Sequence, residues 1–165
     1  MSNTEFIFVP GDRIQVNNAR LTYKNFSGVG GPYNREGDRN FALIIDDPAV
    51  ADQMAKNGWN VRVKPPRNEC DDPFIYLPVK VKFNEYGPSA YLISGNARNV
   101  LTEETVGRLD RIRFRNVDLD IRPFDWDLNG KQGRTAYLDG IEVIQEIDRF
   151  AARHAESMDD ADPWD

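Results

Sequence analysis

The stretch "FIYLPVKVKF", residues 74–83, decides the fold, because apolar and polar side chains alternate along its length. A period of two is the signature of a β-strand with one face toward a core and the other toward solvent. Pro78 cannot donate a ladder hydrogen bond, which indicates an edge position or a bulge. One face carries Ile75, Leu77, Val79, Val81 and Phe83, and the other includes Tyr76, Lys80 and Lys82.

Similar alternation recurs along the chain. The clearest helix signature lies at 47–58, where Asp47 is an N-cap, Pro48 occupies the first turn and Gly58 ends the helix. About seven strands with one inserted helix predict a mainly β protein, an elaborated OB-fold-like β-barrel, with a β-sandwich as the alternative. The predicted strands lie at 13–26, 41–46, 59–64, 74–83, 90–94, 111–124 and 133–147, and short helical turns are predicted at 102–109 and 148–156.

Charge is distributed unevenly. The 165 residues contain 21 Lys and Arg against 27 Asp and Glu, which gives a net charge of −6. Residues 156–165 hold five acids and no Lys or Arg, so the rest of the chain is close to neutral. We therefore predict a folded domain over residues 1–150 and a disordered acidic tail over residues 151–165.

Composition argues against several classes of protein. No apolar run approaches the roughly 20 residues of a membrane helix, and the N-terminus lacks a signal-peptide pattern, so we expect a cytoplasmic protein without a membrane partner. Cys70 is the only cysteine and His154 the only histidine, which argues against a structural zinc site. Neither a P-loop nor a nucleophile elbow is present, so we expect no cofactor and no catalysis.

Several predicted strands carry cationic outer faces with an aromatic neighbour. Phosphate is attracted to such a surface, and bases stack on exposed rings. The glycine-rich loop at 28–40 adds similar side chains where an OB-fold commonly closes over its ligand. Each residue also has an ordinary explanation, because lysines solubilise sheet faces and protect sheet edges. The predicted nucleic-acid contacts are Arg20, Tyr23, Lys24, Phe26, Tyr33, Arg35, Arg39, Trp59, Arg62, Lys64, Tyr76, Lys80 and Lys82.

Trp126 is flanked by two acids, Asp125 and Asp127. Their charges would repel phosphate, so Trp126 is left out of the predicted contacts. Acidic residues of this kind could instead bind Mg²⁺ if several converged from different elements. This leaves a metal-dependent nuclease, or its accessory subunit, as an alternative function.

The chain ends in "MDDADPWD", residues 158–165, which places a tryptophan among aspartates. A terminal apolar side chain can enter a partner's pocket while the acids meet basic residues around its rim. An acidic tail can also cover the protein's own cationic groove. The predicted partner-binding residues are Asp159, Asp160, Asp162, Pro163, Trp164 and Asp165.

This tip resembles the acidic C-terminal tip of bacterial single-stranded DNA-binding proteins, with Trp164 in place of Phe and Asp165 added after it. The segments "ARLTYKNF", "NREGDRNFALIID", "MAKNGWNVR", "YLPVKVKF" and "NVDLDIRPFDWDLNGKQGRTAYLDGIEV" look like phage-encoded single-stranded DNA-binding proteins with an OB-fold. The resemblance covers most of residues 13–147.

The resemblance implies a domain at residues 1–150 that binds single-stranded DNA without sequence preference. It would coat and protect single strands during phage DNA replication or recombination, in the cytoplasm of the infected host. Its tail would recruit replication or recombination proteins. The long strands at 111–124 and 133–147 leave room for a homodimer. A phage structural or assembly protein built on a β-sandwich is the alternative from another class.

Overall fold

The computed structural model describes residues 4–32, 34–66, 73–85 and 87–147, and all of its strands belong to one ten-stranded sheet. The strands are β1 (Glu5–Val9), β2 (Arg13–Asn17), β3 (Leu21–Asn25), β4 (Arg39–Ile44), β5 (Arg62–Lys64), β6 (Phe74–Val81), β7 (Ser89–Ser94), β8 (Ala97–Leu101), β9 (Phe114–Leu128) and β10 (Lys131–Gln145). The helices are α1 (Pro48–Lys56) and a 3₁₀ helix (Val106–Asp110).

The sheet closes into a barrel because β2 and β3 form one bent segment. β2 pairs with β9, whereas β3 pairs with β4, so the bend carries the segment from one side of the sheet to the other. Asn18 makes the bend with a φ of 53°, and its backbone N–H donates to Asp118 at 2.9 Å. The single strand predicted at 13–26 is therefore two strands.

A parallel pair completes the barrel. Ala136 of β10 lies opposite Val79 of β6, while β9 and β10 form a long antiparallel hairpin. The barrel elements follow an OB-fold-like order along the chain. The bent segment β2–β3 comes first, then β4, the helix α1, β6 and finally the β9–β10 hairpin. The predicted fold class, a mainly β barrel with one inserted helix, is confirmed.

The core follows the alternation of β6. Leu77, Val79 and Val81 are buried, as predicted, and they pack with alternate residues of β4, β9 and β10. The α1 helix covers this core with Ala51 and Met54. Its predicted cap is present, because Asp47 accepts a hydrogen bond from the Ala49 N–H at 2.9 Å.

Two strands, β1 and β8, were not predicted. Both are edge strands, and β8 exposes Arg98, Asn99 and Val100 in succession, so it shows no alternation of burial. The strand predicted at 59–64 is shorter, and Val63, expected on the inner face, is exposed. The helix predicted at 148–156 lies outside the described residues. Within the described ranges, no helix is long and apolar enough to cross a membrane.

Candidate nucleic-acid interface

Three aromatic rings gather on the outer face of the barrel. The Tyr23 ring lies edge-on to Phe74 and Tyr76, with centroids 6.1 and 6.0 Å away, and the rings of Phe74 and Tyr76 are 5.4 Å apart. Simple alternation would place Tyr23 on the side of Leu21, which packs against the core. A bulge in β3 and a φ of 50° turn Tyr23 outward instead, so that 56% of it is exposed.

Cations flank these rings. Arg62 of β5 lies opposite Tyr76, and Lys64 lies opposite Phe74. A groove lined by Tyr23, Arg62 and Tyr76 runs along β6 to Lys80. Arg62, Lys64 and Lys80 are exposed and have no ion pair within the described part of the chain. This surface therefore combines stacking rings with cations that are free to meet phosphate.

The groove continues into a hollow at the end of β6, where Arg39, Lys80 and Lys82 converge. Arg39 is held there by Glu103, with Nη1 3.2 Å from the carboxylate, and its buried Nε has no hydrogen-bond partner. Lys82 is exposed without an ion pair among the described residues. The Glu103 carboxylate is thus already paired with the Arg39 guanidinium, which could otherwise bind a phosphate group.

The hollow connects to the β9–β10 hairpin through Tyr137, which lies beside Lys80 in the parallel register. Arg122 lies over the Tyr137 ring at 5.1 Å, and Phe124 meets the same ring edge-on at 5.9 Å. From there Phe124, Trp126 and Leu128 alternate along one face of β9 and are 51%, 40% and 66% exposed. We name this outer surface the track: it begins at Phe74, passes Lys80 and Tyr137, and ends at Leu128.

A glycine on the neighbouring strand leaves room for the Trp126 ring. It lies opposite Gly133 of β10, where a Cβ atom would overlap the indole ring. The ring therefore lies flat across the hairpin, and any side chain at Gly133 would displace it.

The acids beside Trp126 point to the other face of the hairpin. Arg134 binds Asp125 through Nε at 2.6 Å, and this hydrogen bond lowers the pKa of the Asp125 carboxyl. Arg134 also pairs with Asp12 at 3.2 Å. Alternation therefore places the Trp126 ring on one face of β9 and the two neighbouring carboxylates, which were the reason for leaving it out, on the other.

Two predicted contacts are core residues. Phe26 is fully buried and stacks on Phe41 at 5.4 Å. Trp59 is only 4% exposed and is covered by the Arg134 guanidinium. Neither ring can stack on a base in this arrangement, so both predictions are corrected.

Two predicted cations have structural partners. Lys24 is partly buried, donates to the Leu109 carbonyl at 3.1 Å and lies over the Phe114 ring. Burial lowers the pKa of its ammonium group, an effect that nearby Asp110 partly offsets. Arg20 pairs with Asp46 at 3.1 Å and does not line the groove.

The glycine-rich loop is braced rather than loose in its described part. The Asn34 amide donates to the carbonyls of Val29, Arg35 and Asp38. Asp110 anchors the start of the loop by accepting from the Phe26 and Ser27 N–H groups at 2.8 and 2.9 Å. Arg35 is exposed on this loop, and Tyr33 lies outside the described residues.

An acidic patch borders the track on the same outer face of the hairpin. It is formed by Asp118, Asp120, Asp139 and Glu142. Burial and the charge of Asp139 raise the pKa of Asp120. Among the described residues, no group of three or more acids, histidines or cysteines is placed to hold a metal ion.

Seven residues predicted from the sequence lie on or beside the track: Tyr23, Arg39, Arg62, Lys64, Tyr76, Lys80 and Lys82. Five further residues of the track were not predicted: Phe74, Arg122, Phe124, Trp126 and Tyr137. The segment "RPFDWDL", residues 122–128, alternates as cleanly as β6 does. That period was the signal that could have placed the rings and the acids on opposite faces.

A family model described as "Putative phage ssDNA-binding domain" matches residues 3–162. This chain belongs to that family. The family predicted from the sequence is thereby confirmed. No curated protein matches this phage ssDNA-binding family member.

Solved structures of the single-stranded DNA-binding protein from bacteriophage Enc34 share the fold of this family member. That protein is 12% identical, with a TM-score of 0.55 over 91% of this chain and 89% of the other. Its complex with ssDNA is 14% identical, with a TM-score of 0.54 over 91% and 94%. Its C-terminal truncation is also 14% identical, with a TM-score of 0.52 over 90% and 93%.

Proposed function

We propose that this protein binds single-stranded DNA along the track, without sequence preference. The observation that carries the proposal is the continuity of one outer face, on which aromatic rings follow each other from Phe74 to Leu128. Beside the rings of its barrel part lie cations without an ion pair among the described residues, whereas Arg122 on the hairpin pairs with Asp139 at 3.9 Å. Family membership and the likeness to a fold solved with ssDNA support the proposal.

The geometry indicates how a strand would lie. Bases would stack on Tyr23, Tyr76 and the hairpin rings, because every base offers a π-face and none needs to be read by hydrogen bonds. Phosphates would meet Arg62, Lys80 and Lys82 nearby. The acidic patch would repel the backbone and keep the strand on the cationic side.

The biological role belongs to the same proposal. The domain at residues 1–150 would coat and protect single strands during phage DNA replication or recombination, without catalysis. The tail at residues 151–165 would recruit replication or recombination proteins through Asp159, Asp160, Asp162, Pro163, Trp164 and Asp165. These tail residues lie outside the described residues, so their sequence supports this part of the proposal.

Binding to oligo-dT at increasing salt tests the proposal. We expect affinity to fall steeply, because bound phosphates release their counterions. A duplex of equal length is the control and should bind more weakly, since its bases are already stacked. A flat salt response would contradict the track, and degradation of the oligonucleotide with Mg²⁺ would favour the nuclease alternative.

A further inference from the structure

The hollow at the end of β6 has a charge arrangement of its own. It encloses about 400 Å³, and its lining includes three cations, Arg39, Lys80 and Lys82, with two acids, Asp38 and Glu103. Tyr137 also lines it, so the hollow lies between the barrel rings and the hairpin rings of the track. A strand that stacks on both sets of rings must therefore cross the hollow.

The ion pair inside the hollow has a long and incomplete geometry. Nη1 of Arg39 lies 3.2 Å from the Glu103 carboxylate, Nη2 lies 3.4 Å from the Glu103 carbonyl, and the buried Nε has no partner among the described residues. Charge-assisted N–H···O bonds are usually about 2.7–2.9 Å long. By contrast, Arg134 binds Asp125 through two nitrogens, at 2.6 and 3.1 Å. Arg39 is thus held less tightly than a guanidinium in this chain can be.

The Glu103 carboxylate can leave Arg39 while the Glu103 backbone stays in place. The turn that holds Glu103 is braced, because the Thr102 N–H donates to the Thr105 hydroxyl at 2.7 Å and the Thr105 N–H donates to the Thr102 carbonyl at 3.1 Å. The Glu103 side chain is 53% exposed, whereas that of Arg39 is 19% exposed. An exposed ion pair contributes little free energy, so the carboxylate can turn toward water while the carbonyl still holds the guanidinium.

The two neighbouring acids are placed differently. Glu104 is held within the turn, where hydrogen bonds to its own backbone N–H and to Thr102 lower the pKa of its carboxyl. Asp38 lines the hollow and is exposed, and it has no ion pair within the described ranges. Of the described acids, Glu103 is the one that pairs with Arg39.

We propose that the hollow is a phosphate subsite in which a phosphodiester group of the bound strand displaces the Glu103 carboxylate from Arg39. The inference rests on the proposed function, because it names the group that a DNA strand presents to this part of the track. Two phosphate oxygens match the fork of a guanidinium, and Lys80 and Lys82 add point charges on the same side. Since each bound strand must first break the ion pair, Glu103 lowers the affinity of the protein for DNA.

Removal of the competing charge tests the inference in the full chain. Glu103→Gln should tighten oligo-dT binding about twofold to fivefold at low salt, because the phosphate no longer displaces a carboxylate. Asp38→Asn is the matched control, since it removes the same charge from the same hollow but frees no arginine. Its gain should be smaller. Equal gains for the two variants would show only a general effect of charge and would overturn the inference.

Arg39→Gln completes a double-mutant cycle. In this background the gain from Glu103→Gln should fall to the gain from Asp38→Asn, because there is no guanidinium left to free. A gain that persisted undiminished would overturn the inference. So would a loss of affinity for Glu103→Gln alone, since Glu103 would then position Arg39 for DNA instead of competing with it.

A readout without DNA separates the inference from the proposed function and does not depend on the folding of Arg39→Gln. Sodium phosphate, compared with sodium chloride at equal ionic strength, should shift the Arg39 Nε–H resonance, and should do so at lower concentration in Glu103→Gln. The Arg134 Nε–H resonance is the internal reference and should stay in place, because Asp125 already accepts that hydrogen bond.

The two proposals fail in different ways. An Arg39 resonance that moved neither with phosphate nor with oligo-dT would overturn the inference, even in a protein that bound oligo-dT. A resonance that moved with phosphate in a protein that failed to bind oligo-dT would support the subsite and refute the proposed function alone.

Discussion

The barrel part of the track and the distal β9–β10 hairpin display similar side chains in different settings. β6 is paired with β4 and β5 and meets β10, and its rings contact each other. Beyond Pro123 and Ala136, the hairpin strands pair with each other and make one single-residue bridge to the barrel, between Arg134 and Trp59. Backbone neighbours fix the barrel rings in advance, whereas the two-stranded ribbon beyond that bridge is held more loosely.

This difference indicates which part of the track should contribute most of the free energy of DNA binding. A preorganised ring loses little freedom when a base stacks on it, whereas an exposed ring on a ribbon must first be ordered. The barrel part should therefore dominate affinity, and the hairpin should add to it only when the strand is long enough to reach.

The largest effect is expected for Tyr76→Ala in the barrel part. Loss of one stacking platform costs about 1–3 kcal/mol, so affinity for oligo-dT should fall roughly tenfold. Tyr91→Ala is the control, because Tyr91 has a similar ring that Arg98 covers beside the acidic patch. Titration by fluorescence anisotropy measures both variants. Equal losses would show that the barrel part has no special role.

A smaller, length-dependent effect is expected for Trp126→Ala. Binding of an oligo-dT of about 16 nucleotides should weaken about threefold, whereas one of about 6 should be unaffected, because only the longer strand reaches the hairpin. Gly133→Val should reproduce the loss, since a side chain there displaces the indole. Asp127→Asn on the other face is the control. A change of sedimenting mass without a change of affinity would assign the hairpin to a homodimer contact instead.

The smallest effect is expected for Asp120→Asn in the acidic patch that borders the track. Burial and Asp139 raise the pKa of Asp120, so the ionised carboxylate destabilises the folded state at neutral pH. The folded state then binds more protons than the unfolded state, and the free energy of unfolding rises as the pH falls through the raised pKa.

Removing that charge should raise the melting temperature slightly at pH 7, with the gain lost in acid once wild-type Asp120 is protonated. Asp120 is exposed to solvent, which limits the gain to a few tenths of a kcal/mol. Calorimetry at both pH values checks the sign. A gain that persisted in acid would point to packing rather than charge.

Much of the fold could be read from periodicity. The inner face of β6, the capped α1 helix and the long β9–β10 pair all follow from local patterns. Periodicity failed where the backbone departs from it, as at the bulge that turns Tyr23 outward and at the bend after Asn17. The sequence of the edge strand β8 has no period of two, because an edge strand need not bury alternate residues.

The candidate site was predicted unevenly for a related reason. Lys80, Lys82 and Tyr76 were found because their strand has a clear inner face. Trp59 was predicted to contact DNA and is buried, whereas Trp126 was left out and is exposed, because the surroundings of both rings are set by residues distant in the chain. Arg134, distant in the chain from Trp59, covers that ring and also neutralises Asp125.

The sequence by itself determined the β character of this protein, its inserted helix, its family and the separation of an acidic tail from a near-neutral body, because these depend on short-range spacing and composition. Only the tertiary structure decided which rings are exposed and which cations are free. Exposure and pairing depend on residues distant in the chain, brought together by the barrel closure between β6 and β10 and by the bend between β2 and β3.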